Sequence, residues 1–76
     1  MNAARRKELE ELTLQLQQAV EKANSIRDGE QEAFDNLPDS IQASEKGDMM
    51  DATVQDIDSL IAIIEEATDL IDSITV

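Results

Sequence analysis

A chain of 76 residues with no Cys, His, Trp or Tyr has room for one small domain and excludes disulfides, thiolate metal sites and histidine chemistry. Its net charge of −12, from 18 acids against six bases, makes the surface repel nucleic acid and anionic membrane and attract a basic partner. A domain this small buries only about 60% of the surface its unfolded chain exposes, so aliphatic helix packing, extended by self-association, must hold the fold.

The two glycines, Gly29 and Gly47, and the one proline, Pro38, punctuate the chain. The first predicted helix covers 3–35. Asn2 precedes it as an N-cap, and Leu9, Leu12, Leu16, Ala19, Ala23 and Ile26 recur in steps of three and four, the spacing of a coiled-coil seam. Gly29 weakens this helix by roughly 1 kcal/mol relative to Ala without ending it. A bend follows over 36–43. The residue before Pro38 is pushed out of helical geometry, Asn36 is placed to cap a short helical turn starting near Leu37 or Pro38, and Phe34, Leu37 and Ile41 close that end of the core.

The second long helix is predicted over 44–75. Ser44 is its N-cap, and Asp48 and Asp51 sit near the positive end of its dipole. Met50, Ile57, Ile64 and Ile71 are spaced by sevens, with Thr53, Leu60, Ala67 and Ile74 as companions. A strand of that length is uncommon. Two helices of similar length and a short connection predict an all-α fold, an antiparallel coiled-coil-like hairpin with one short helical turn in its bend. That arrangement is expected to bring Arg5, Arg6 and Lys7 near Glu65, Glu66, Asp69 and Asp72.

The second helix is apolar over more of its circumference than the first can cover. It adds Val54, Ile61, Ile63 and Leu70 beside its seam. A homodimer of hairpins forming a four-helix bundle is therefore expected, with Ile57, Leu60, Ile61, Ile64 and Ile71 at the interface; the competing expectation is that this patch receives a different protein.

No catalytic residue, cofactor site or metal site is expected. Ser40, Ser44, Ser59 and Ser73 have no His to activate them, no glycine-rich phosphate loop occurs, and the run Asp48, Asp51, Asp56, Asp58 lacks the Gly and closing Glu of a calcium loop. The acids of the second helix do form a pattern. Asp51, Asp58, Glu65 and Asp72 fall on one stripe with Asp69 beside it. Helix neighbours three or four apart lie about 5–6 Å from one another, so the stripe can imitate a phosphate backbone and occupy the groove of a nucleic-acid-binding protein. The plain alternative is a solvated outer face. No leader or membrane span is read: Arg5, Arg6 and Lys7 precede a charged amphipathic stretch, and the longest apolar run is 60–64. A cytoplasmic protein is expected.

The stretch Glu32-Ala33-Phe34-Asp35-Asn36-Leu37-Pro38-Asp39-Ser40-Ile41-Gln42, followed by Ser44-Glu45-Lys46-Gly47, resembles a family of small, acidic, largely uncharacterised proteins of bacteriophages and other bacterial mobile elements. That family carries a similar FDNLP-S-Q-SE-G core between two helical segments. The resemblance covers roughly residues 30 to 75 and implies no activity. It implies a bacterial host cell as the setting and a non-enzymatic role, such as blocking a host defence or nucleic-acid enzyme. The alternative is a structural oligomerisation module with no inhibitory target.

Overall fold

The computed structural model describes residues 1–75; Val76 lies outside the described residues. Helix α1 covers Ala3–Asp35, α2 covers Asp39–Gln42, and α3 covers Glu45–Ile74. The long helices α1 and α3 pack against each other and α2 packs on α3. Among the described residues there is no strand, and no helix is long and apolar enough to cross a membrane. The Cα positions fill a rod of 58 × 15 × 12 Å with a radius of gyration of 17.4 Å, against about 11 Å for a globular chain of this length.

The helix ends follow from local chemistry. Asn2 Oδ1 accepts from the Arg5 N–H at 2.8 Å, satisfying one of the free donors of α1's first turn. Asn36 is the C-cap of α1 rather than the cap of the short turn, its N–H donating to Glu32 O at 3.0 Å. Pro38 takes the N-cap position of α2, with φ −57°. Ser44 stands at the N-cap of α3, yet its hydroxyl makes no cap bond and instead donates back to Ile41 O.

The bend is held by Gln42 and Gly47. The Gln42 side-chain amide donates to Phe34 O at 3.0 Å, Leu37 O at 3.1 Å and, more loosely, Asp35 O at 3.3 Å. It thus ties the last carbonyls of α1 and the Leu37 carbonyl of the bend to the end of α2. Gly47 is buried in the first turn of α3, and a Cβ there would lie 2.0 Å from Gln42 O and 2.6 Å from its carbonyl carbon. Only hydrogen fits between the end of α2 and the start of α3. Gly29, in contrast, has open space around its Cα.

The seam between α1 and α3 is read from burial. On α3 the covered positions are Gly47, Met50, Val54, Ile57, Ile61, Ile64, Ala67, Thr68 and Ile71. On α1 they are Leu9, Thr13, Leu16, Val20, Ala23, Arg27, Glu30, Gln31 and Phe34. The expected seam is half right. Leu9, Leu16 and Ala23 point inward, but Leu12, Ala19 and Ile26 are exposed and Thr13, Val20 and Arg27 take their place. The same exchange on α3 leaves Leu60 and Ile74 exposed and brings Val54 and Ile61 in. Both changes rotate each helix toward the next apolar stripe, which has the same seven-residue period. The resulting core is thin: among the described residues Ala23, Val54 and Ile71 are the only buried apolar ones, and no large side chain is fully enclosed.

Gly47→Ala forces Gln42 and α3 apart, and we expect it to lower unfolding stability by about 1–3 kcal/mol, the usual range for overpacking. Gly29→Ala relieves a helix-interior glycine in open space and should raise stability by about 0.5–1 kcal/mol. Thermal melts of the two variants beside the parent check both signs.

Candidate functional site

The register of the hairpin decides which side chains share a surface. Arg27 Nε donates to Asp58 Oδ1 at 2.6 Å. One shallow depression is lined by Gln17, Val20 and Glu21 of α1 with Glu65, Thr68 and Asp69 of α3. A second is lined by Glu10, Thr13 and Leu14 with Ile71, Asp72 and Thr75. Together these set Val20 level with Ile64 and Thr13 level with Ile71. They also define one long edge of the rod, on which Asp51, Asp58, Glu65 and Asp72 run beside the core with Asp69 next to them.

All five expected partner-binding acids, Asp51, Asp58, Glu65, Asp69 and Asp72, are exposed. Their availability differs. Asp58 is tied to Arg27, which also reaches Asp28 Oδ1 at 3.5 Å. The hydrogen bond to Asp58, then the charge of Asp58, raises the Arg27 pKa above its ordinary value, so this cation stays charged. Asp51 Oδ2 accepts from Gln55 Nε2 at 3.0 Å. Glu65, Asp69 and Asp72 have no ion-pair partner among the described residues, and the hairpin adds Glu10 and Glu21 of α1 beside them. Sequence periodicity on α3 alone could not reveal these two, because their place depends on the register between helices.

The ion pairs expected between Arg5, Arg6 or Lys7 and the acids at the end of α3 do not form; among the described residues Arg27 makes the only ion pairs. The register explains this. With Thr13 level with Ile71, the first turn of α1 projects past the last turn of α3. The surface around Met1, Arg5, Glu8 and Leu12 is accordingly lined by residues of the α1 end alone.

The expected interface residues divide as well. Ile71 is buried and Ile57, Ile61 and Ile64 are half-buried in the seam with α1, whereas Leu60 is 49% exposed. Leu60 belongs to the opposite long edge. There α3 presents Leu60, Ile63, Ala67, Leu70 and Ile74, spaced by threes and fours, with Ile63 and Leu70 each 62% exposed. Extending the register to this side places Leu12, Ala19 and Ile26 of α1 across from Ile74, Ala67 and Leu60, each pair offset by two residues or about 3 Å along the rod. The rod therefore has an acidic edge and an apolar edge on either side of one thin core.

No three acids converge as a metal-binding set among the described residues. No protein-family model matches the chain, and neither a curated protein nor a solved structure is significantly similar to it.

Converting Glu65, Asp69 and Asp72 to Gln, Asn and Asn changes the net charge from −12 to −9 and removes like-charge repulsion between helix neighbours. Thermal stability should hold or rise slightly, most at low ionic strength. A melting series over salt concentration checks this, and a large loss would show that these acids are structural.

Proposed function

We propose that this chain is a non-enzymatic protein-binding accessory or inhibitor, built as a dimer of hairpins forming a four-helix bundle. Its acidic edge receives a basic surface of a nucleic-acid-binding or host-defence protein in a bacterial cytoplasm, in a phage or mobile-element setting. One observation carries the reading: Glu65, Asp69 and Asp72 are exposed and without cationic partners among the described residues, and Glu10 and Glu21 of the other helix join them on one edge. A helical rod with carboxylates from both helices along one edge resembles a phosphate-lined groove in charge. Such a surface acts mainly by steering association and by excluding wrong partners. The lack of His and Cys removes the usual acid–base and nucleophilic groups.

A structural oligomerisation module is the second reading, and the apolar edge favours it. The two separate experimentally. Affinity capture from a bacterial host lysate is run at several salt concentrations with the parent and with the Glu65→Gln, Asp69→Asn, Asp72→Asn variant. A basic partner retained by the parent at low salt, lost at high salt and weakened by the variant supports inhibition. Equal retention by both proteins at every salt concentration removes the acidic edge from the function. Sedimentation of the parent should give an elongated dimer, and a stable monomer would overturn the bundle.

A further inference from the structure

We propose that the apolar edge is covered by a second copy of this chain running in the opposite direction, with α3 against the partner's α3 and α1 against the partner's α1. This rests on the dimer reading above and specifies its face and direction.

Area is the first argument. The chain exposes 5577 Å² at a mass of 8.4 kDa, whereas a compact monomer of that mass exposes about 4,600 Å². The excess of roughly 1,000 Å² over that scaling is close to the ~800 Å² that each partner contributes to a standard interface. Charge is the second. Heptad geometry places only Glu8, Asp56, Arg5, Lys22 and Lys46 among the charged residues of this edge. They are nearly balanced, so it is the one long face that a second chain of charge −12 can approach.

The direction follows from the pattern along the edge. On α3 the order is Leu60, Ile63, Ala67, Leu70, Ile74, and on α1 it is Leu12, Ala19, Ile26. Both run from large to small to large, and the register sets the two centres, Ala67 and Ala19, within two residues of one level, about 3 Å along the rod. A two-fold axis across the rod at that level turns each stripe onto itself. Ile63 then meets the partner's Leu70, Leu60 meets the partner's Ile74, and Ala67 meets the partner's Ala67, where small side chains let helix axes approach to about 8 Å. Such a self-complementary face is what a two-fold dimer requires.

Copies running in the same direction would instead lay α3 over the partner's α1. Ile63 and Leu70 would then face the stripe that holds Glu8, Gln15 and Lys22. That arrangement would also crowd together the acids of both bends, Glu32, Asp35, Asp39, Glu45 and Asp48. Running oppositely, each copy brings its projecting Arg5 alongside the end of the partner's α1, near Glu32. Arg5 makes no ion pair within its own hairpin among the described residues.

The native chain has no Cys, so single cysteines report the geometry directly. The full chain is made with Ala67→Cys and, separately, Ala19→Cys. Each is checked by sedimentation, oxidised mildly and run on a non-reducing gel. A disulfide needs Cα atoms about 4.4–6.8 Å apart, a separation within reach of residues next to the two-fold axis. We expect the parent to sediment as a dimer and each variant to close on itself to a covalent dimer in high yield. An equimolar mixture should show no preference for the Ala19–Ala67 cross-link. Preferential mixed cross-links with little self-closure would overturn the direction in favour of copies aligned the same way. A protein that sediments as a dimer but cross-links at neither position would overturn this face while leaving the dimer standing. A monomeric parent would remove both.

Discussion

Gln42 joins the two long helices at the bend, and the rest of the molecule takes its register from that junction. Its side chain ties down the carbonyls where α1 ends, and its backbone lies so close to α3 that residue 47 must be glycine. Phe34, the one aromatic side chain, is half-buried beside it. Once these groups are in place, α3 can run back along α1 at only one level and with one rotation. The residues that make up the quoted FDNLP-S-Q-SE-G core are therefore accounted for by geometry: they terminate one helix, turn the chain and start the next within a few residues.

The ion pair of Arg27 with Asp58 cannot perform the same task. Arg27 sits within the seam, where an uncompensated charge would be costly, and Asp58 offsets it. But Asp51 and Glu65 occupy the same heptad position one repeat to either side. A slip of seven residues would offer Arg27 another carboxylate and would again pair aliphatic with aliphatic. The pair thus selects which side of α3 lies beside α1 and leaves the level undetermined. With so little buried apolar surface, side-chain packing alone discriminates weakly among such slips, and the bend supplies the missing specificity.

This explains what could be read from the residues alone. Helical character and the pairing of two long helices follow from sustained periodicity and from where Gly and Pro fall. The inward position of Met50, Ile57, Ile64 and Ile71 was legible because those residues stand between two apolar stripes and belong to the seam whichever way the helix leans. Their companions were not legible. Val54 and Ile61 on one side and Leu60 and Ile74 on the other have equal claims by spacing, and only the rotation imposed at Gly47 decides between them. For the same reason Ile57, Ile61, Ile64 and Ile71 were expected at an interface between copies and instead lie within the hairpin, while the acids Glu10 and Glu21 could not be assigned to the acidic edge before the register was known. No sequence signal marked Arg5, Arg6 and Lys7 as projecting beyond α3, since that depends on the residues consumed by α2.

The tight junction at Gln42 and Gly47 also orders events in time. Pairs next to the bend join residues close together in the chain, whereas Leu9 and Ile71, at the open end, are separated by nearly its full length. The entropy lost on closing a loop grows with the logarithm of its length, so the first turns beside the bend close at the smallest cost. Each further layer then closes only a small increment of chain, in the manner of a zipper, and the topology counts as local despite its distant ends. A chain with so thin a core would otherwise search among its repeated heptads; starting from the bend, it meets the correct one first.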